Sequence, residues 1–168
     1  MSGPKRILIV FDGTEDAWRA ARYTARMAEG CPGYQACIFH LLPGPPPALR
    51  EHPGAEDPAE ERRLSRELQR EAERWIEEHE QQARRELEEV RMTLLQAGMA
   101  QQDVSVRVEP DHGEKKPADI YLDAAREESC STVVIGRTQS RHFADRLFGE
   151  TATRLVKKGE GMAVWVIE

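Results

Sequence analysis

The chain reads as an open five-stranded parallel, doubly wound α/β sheet with helices on both faces, and three observations predict it. Apolar β-branched runs alternate five times with segments of helical period or loop, the order that builds βαβ units. The runs at 6–11, 36–42 and 132–135 are almost wholly apolar, as strands covered on both faces are. Glycine follows several of the segments, at Gly13, Gly30, Gly98, Gly136 and Gly159, where helices and strands must turn.

With 168 residues the chain is expected to be a single domain spanning 1–168. A chain of this size buries ~70% of its unfolded surface, enough for a core without disulfide or metal staples. The net charge of −6 argues against nucleic-acid binding, which rests on a basic face. The apolar runs are strand-sized, so no membrane span is expected, and no leader pattern precedes the first strand. The expectation is a cytoplasmic protein with reduced thiols at Cys31, Cys37 and Cys130. His40, His52, His79, His112 and His142 show no paired ligand spacing, so no metal is assigned.

The first strand, 6–11, feeds through Asp12-Gly13-Thr14 into a helix over 15–29, with Thr14 as N-cap and Gly30 as stop. Ala17, Ala20, Ala21, Thr24, Ala25 and Ala28 give this helix a small-residue face that can lie close on a sheet, with Arg19, Arg22 and Arg26 toward water. The second strand, 36–42, runs into a proline-rich loop over 43–57, read as extended and mobile. Asp57-Pro58-Ala59-Glu60 is a helix start, with Glu60 placed to close a capping box.

No glycine or proline follows until Gly98, so a long second helix is expected over 58–97. At 1.5 Å per residue it would be ~60 Å long, against a radius of gyration of ~15 Å for the whole domain. Either its first half projects or it bends near 77–82; the reading favours a projecting arm whose stripe, Leu64, Leu68, Ala72 and Ile76, serves self-association. The alternating run 104–108 is a third strand nearer a sheet edge. Pro117 opens a third helix with Ile120, Tyr121, Ala124 and Ala125 inward.

The last stretch is the most informative. Strand 132–135 stops at Gly136, a basic loop carries Arg137, Arg141, His142 and Arg146 to Gly149, and a helix over 150–158 ends at Gly159. Glycines beside a helix N-terminus suit an anion such as phosphate. The closing strand, Met162, Val164, Trp165, Val166 and Ile167 among its residues, is apolar throughout. Such an edge is expected to pair with the same strand of a second subunit, giving a homodimer.

At these residues the chain resembles the universal stress protein family. That family carries Gly, two residues, Gly, nine residues, Gly and then Ser or Thr near its end; Gly136, Gln139, Gly149 and Glu150 stand in those places. The first strand with Asp12-Gly13-Thr14, and Gly113 with Pro117-Ala118-Asp119-Ile120, are similar to the family as well, so the resemblance covers nearly the whole chain apart from an enlarged middle. It implies a sheet ordered third, second, first, fourth, fifth strand. It also implies a crevice with Val10, Phe11 and Asp12 near a nucleoside, Leu41 near adenine, and Gly136 and Gly149 under phosphates; Arg137, Gln139, Glu150 and Thr151 beside them complete the candidate nucleotide-binding set.

Two positions depart from the motif. Gln139 puts a side chain where the family has none, and Glu150 puts an anion where the family has a hydroxyl. Like charges ~4 Å apart cost about 1 kcal/mol in water and several-fold more when partly buried, so the site is expected to be degenerate toward ATP. Asp12 also has a purely local reading, as a cap on its own turn. The function expected is a non-catalytic, dimeric stress-response or regulatory module, open to a protein partner; the alternative is a member that binds ATP or AMP. Neither a Walker loop nor a general base is present for efficient hydrolysis. A receiver domain is more remote, because paired acids after the first strand and an acceptor aspartate ending the third are missing. An adenylate-forming enzyme would want a Ser-Gly-Gly loop or a His-x-Gly-His stretch, and neither occurs.

Overall fold

The computed structural model describes residues 5–52, 54–137 and 149–168. Its strands are β1 (Lys5–Val10), β2 (Tyr34–Leu42), β3 (Val104–Pro110), β4 (Thr132–Gly136) and β5 (Ala163–Ile167). Its helices are α1 (Glu15–Ala28), α2 (Pro58–Gln96), α3 (Pro117–Glu127) and α4 (Glu150–Lys158). The strands form one sheet in the order β3-β2-β1-β4-β5, every pair parallel. The expected order and the expected edge position of the third strand are both met.

Alternation along the strands divides the core into two layers. Ile7 and Ile9 of β1, Ile38 of β2 and Val134 of β4 face α1 and α2, while Leu8, Val10, Phe39, Val133 and Ile135 face α3 and α4. The alanine face of α1 is buried as a unit, Ala17, Ala20, Ala21, Thr24, Ala25 and Ala28. Small side chains there bring the helix axis close to the sheet. Thr14 caps α1 by accepting from the Ala17 N–H at 3.2 Å.

Helix α2 is unbroken over 39 residues, about 58 Å at the usual rise. Its fully buried residues are Ala83, Leu87, Val90 and Leu94. The Glu86 carboxylate lies against Gly13, in the turn after β1, so the residues before Glu86 run past the carboxyl edge of the sheet. Of the two expectations, projection is the one realised. Leu64, Leu68, Ala72, Trp75 and Ile76 are only half-buried, and the Trp75 ring stacks on His79 at 3.7 Å.

Two expectations for the segment leading into α2 need correction. The proline-rich loop is not simply extended: Pro47–Leu49 form one 3-10 turn, the Ala55 N–H donates to Glu61 at 2.6 Å, and His52 meets the Ser65 hydroxyl at 3.0 Å. Prolines forbid a ladder but not this strapping of the loop onto the first turns of α2. Glu60 does not close a capping box, because it faces Arg63 while Asp57 caps the helix through the Ala59 N–H at 2.9 Å.

Burial along α2 predicts unequal sensitivity. Leu87→Ala should lose about 2–5 kcal/mol, and Leu68→Ala less than about 1 kcal/mol. Denaturant unfolding of both variants checks this, and equal losses would contradict a projecting first half.

Candidate functional site

Because β1 and β4 are neighbours, the residues leaving their carboxyl ends meet. A crevice of about 260 Å³ opens there, the place where open α/β sheets hold ligands. Val10, Ile135 and Ala152 make its apolar wall, and Asp12, Tyr121 and Thr151 are among its polar groups. Of the residues expected around a nucleotide, Val10, Asp12, Gly136, Arg137, Gly149, Glu150 and Thr151 line it.

Phe11 and Leu41 do not line it. Phe11 is 1% exposed and turns to the other core layer, where its ring meets the edge of Trp18 at 5.1 Å. Residues alternate across the sheet, so Val10 and Phe11 cannot both face the crevice. Leu41 packs at the margin of the core layer beneath α3 and α4. Gln139, with Thr138, Arg141, His142 and Arg146, lies outside the described residues.

The backbone around Asp12 is tied down on two sides. The Phe11 N–H donates to the Phe39 carbonyl at 2.8 Å. The Phe11 carbonyl lies 2.8 Å from Nδ1 of buried His40; a carbonyl only accepts, so that nitrogen carries the proton. Oδ1 of Asp12 accepts from the Thr14 N–H at 3.0 Å and the Thr14 hydroxyl at 2.5 Å. The local capping role is therefore realised, and Oδ2 has no hydrogen-bond partner among the described residues.

Gly136 has a structural reason of its own. A Cβ there would sit 2.3 Å from the carbonyl carbon and oxygen of Asp16, in the first turn of α1. Helix α1 thus crosses the end of β4 at backbone contact. Across the crevice, Gly149 caps α4 without any side-chain hydrogen bond, and Glu150 is the acidic residue of the first turn.

Glu150 is not an isolated anion. The Lys116 ammonium, at the cap of α3, forms an ion pair with it and lowers its pKa. Arg137 is likewise engaged, with Glu168. One turn into α3, Asp119 takes a fork from Arg154, with contacts of 3.1, 3.0 and 2.6 Å, and a further bond from Lys158 at 3.0 Å. Arg154 first and Lys158 second hold the Asp119 carboxyl down at about 2. These contacts clamp α3 to α4 and so set the width of the crevice.

Two residues escaped the sequence reading. Tyr121 looked like an inward helix residue, yet it lines the crevice, 9% exposed, its ring edge-on to Phe39 at 5.6 Å. Burial, then the Asp12 and Asp111 carboxylates, push its phenol up to about 12. Lys116 gave a weaker signal, a lysine directly before the helix-opening Pro117. Among the described residues no cluster of His, Cys, Asp or Glu could hold a metal ion, and no helix is long and apolar enough to cross a membrane.

A doubly wound sheet of this order, with a glycine-flanked crevice and a helix N-terminus at its switch point, defines an open-sheet α/β protein. The universal stress protein family model matches residues 3–166. The chain belongs to the universal stress protein family. It is similar in structure to a protein of that family from Burkholderia pseudomallei, at 21% identity and TM-score 0.60, covering 97% of this chain and 95% of that one. A universal stress protein in complex with cAMP matches at 16% identity and TM-score 0.60, covering 99% and 98%. One from Archaeoglobus fulgidus in complex with dAMP matches at 19% identity and TM-score 0.56, covering 99% and 98%. A search of curated proteins found no match.

The clamp carries a pH signature. The Asp119 pKa is depressed from 3.8 to about 2, so its stabilisation is present above pH 4 and lost as pH falls from about 4 to about 2. Asp119→Asn should lower the melting temperature at pH 6, and its gap from the wild type should close across that acid window. A gap independent of pH would contradict the clamp.

Proposed function

We propose that this member of the universal stress protein family is a non-catalytic regulatory module, dimeric through β5, whose crevice takes an adenine mononucleotide in preference to ATP. One observation carries the reading: the N-terminus of α4 faces the crevice, but its first residue is Glu150, already paired with Lys116. A Lys–Glu pair is neutral as a unit. It therefore tolerates a single phosphate better than the concentrated charge of a triphosphate, which would also have to displace or repel the carboxylate. The cAMP and dAMP complexes of two similar structures favour a mononucleotide of this size.

The second reading, an ATP-binding module, is favoured by Lys116 itself: a lysine at the crevice mouth can turn from Glu150 to a phosphate. For dimerisation, β5 occupies a sheet edge with β4 as its one strand partner among the described elements. Its residues Val164 to Ile167 are half-buried, which leaves apolar edge for a second copy. The half-buried stripe of α2 is the competing contact.

Calorimetry with AMP, ADP and ATP in the presence of Mg²⁺ should show AMP binding at least about tenfold tighter than ATP, a difference of about 1.4 kcal/mol. Glu150→Ser with Gln139→Gly should reverse that order. Micromolar ATP binding by the wild type selects the second reading, and no binding by either protein removes both. For the dimer, Val166→Asp should halve the mass seen by light scattering. If deleting 60–74 does so instead, the contact belongs to α2.

A further inference from the structure

Among the described residues that line the crevice, Arg137 is the one cationic side chain, and the sheet decides what it meets. In the β4–β5 ladder Ile135 pairs with Val166 and Gly136 with Ile167. The Arg137 N–H carries the ladder one step further, donating to the Ile167 carbonyl at 2.8 Å. Ile135 and Val166 both face the layer beneath α3 and α4. Alternation returns the next residue but one to the same side, so Arg137 and Glu168 emerge there together as cross-strand neighbours. That is the side on which the crevice opens, and the two side chains form an ion pair.

The pair is light. Its side chains are 36% and 71% exposed, so it adds little to stability. Its consequence is occupancy: a guanidinium offers a planar fork that a carboxylate and a phosphate fill in the same way, and Glu168 is on it before any ligand arrives. Leaving Arg137 does not strand the carboxylate among anions. Glu168 also borders a groove on the α1 side, whose lining includes Arg19 and Arg22.

We propose that Glu168 makes an autoinhibitory contact with the crevice: its carboxylate competes for Arg137 with the anionic group of an incoming ligand, and binding exchanges one for the other. The proposal rests on the reading of the crevice as a mononucleotide site. It adds a regulation of that site, because whatever draws Glu168 from the end of β5 opens Arg137 to the ligand.

Titration calorimetry of the full chain with AMP, for wild type, Glu168→Gln, Arg137→Gln and the double variant, tests it as a cycle. Glu168→Gln should bind AMP about threefold tighter than wild type, the scale of an exposed ion pair. Arg137→Gln should bind AMP more weakly, and adding Glu168→Gln to it should change nothing. Adenosine, which lacks the anion, should bind wild type and Glu168→Gln equally. Tightening that persists without Arg137, or that extends to adenosine, would mark a general loss of negative charge and overturn the contact. If neither wild type nor Glu168→Gln binds AMP, the mononucleotide reading falls and this proposal with it; if both bind AMP equally, only this proposal falls.

Discussion

The geometry of the crevice depends on one close approach. Helix α1 begins against the last residue of β4, and a single Cβ at Gly136 would sit 2.3 Å from backbone atoms of Asp16. Backbone on both sides cannot yield as a flexible side chain can, so the glycine is a condition of this docking. The docking holds the first turn of α1 over β4, where Thr14 and Ala17 join the lining. A glycine that looks like a phosphate-loop residue is also, in this chain, the seat of a helix.

The opposite wall is held by charge. Asp119 binds Arg154 in a fork and takes Lys158 as well, while Lys116 reaches Glu150. These groups are partly exposed, so each pair contributes modestly on its own. Their consequence is geometric: they fix the spacing of α3 and α4, and with it the position of Tyr121 relative to Asp12. They also change the electrostatics of the site, because the glutamate facing the crevice is neutralised before any ligand arrives.

Helix α2 serves two ends with one sequence. Its last third carries Leu87, Val90 and Leu94 into the core beside α1, Ala83 is buried just ahead of them, and the first half of the helix has no fully buried residue. A helix of that length persists without breakers because few residues in it disfavour the conformation and ion pairs such as Glu80–Arg84 run along its surface. The proline-rich segment completes the arrangement by folding back on its first turns.

The linear sequence alone determined the elements and the parallel class, and its resemblance to a family pointed to seven residues of the lining. Continuous apolar strands require cover on both faces, and glycines and caps mark where helices start and stop, so these features are local and legible. Tertiary structure decided which faces the boundary residues take: Phe11 turned to the α1 layer because strand alternation allows only one of Val10 and Phe11 into the crevice. It also decided the partners. Lys116 and Glu150 lie 34 positions apart, and neither periodicity nor composition carries that pairing.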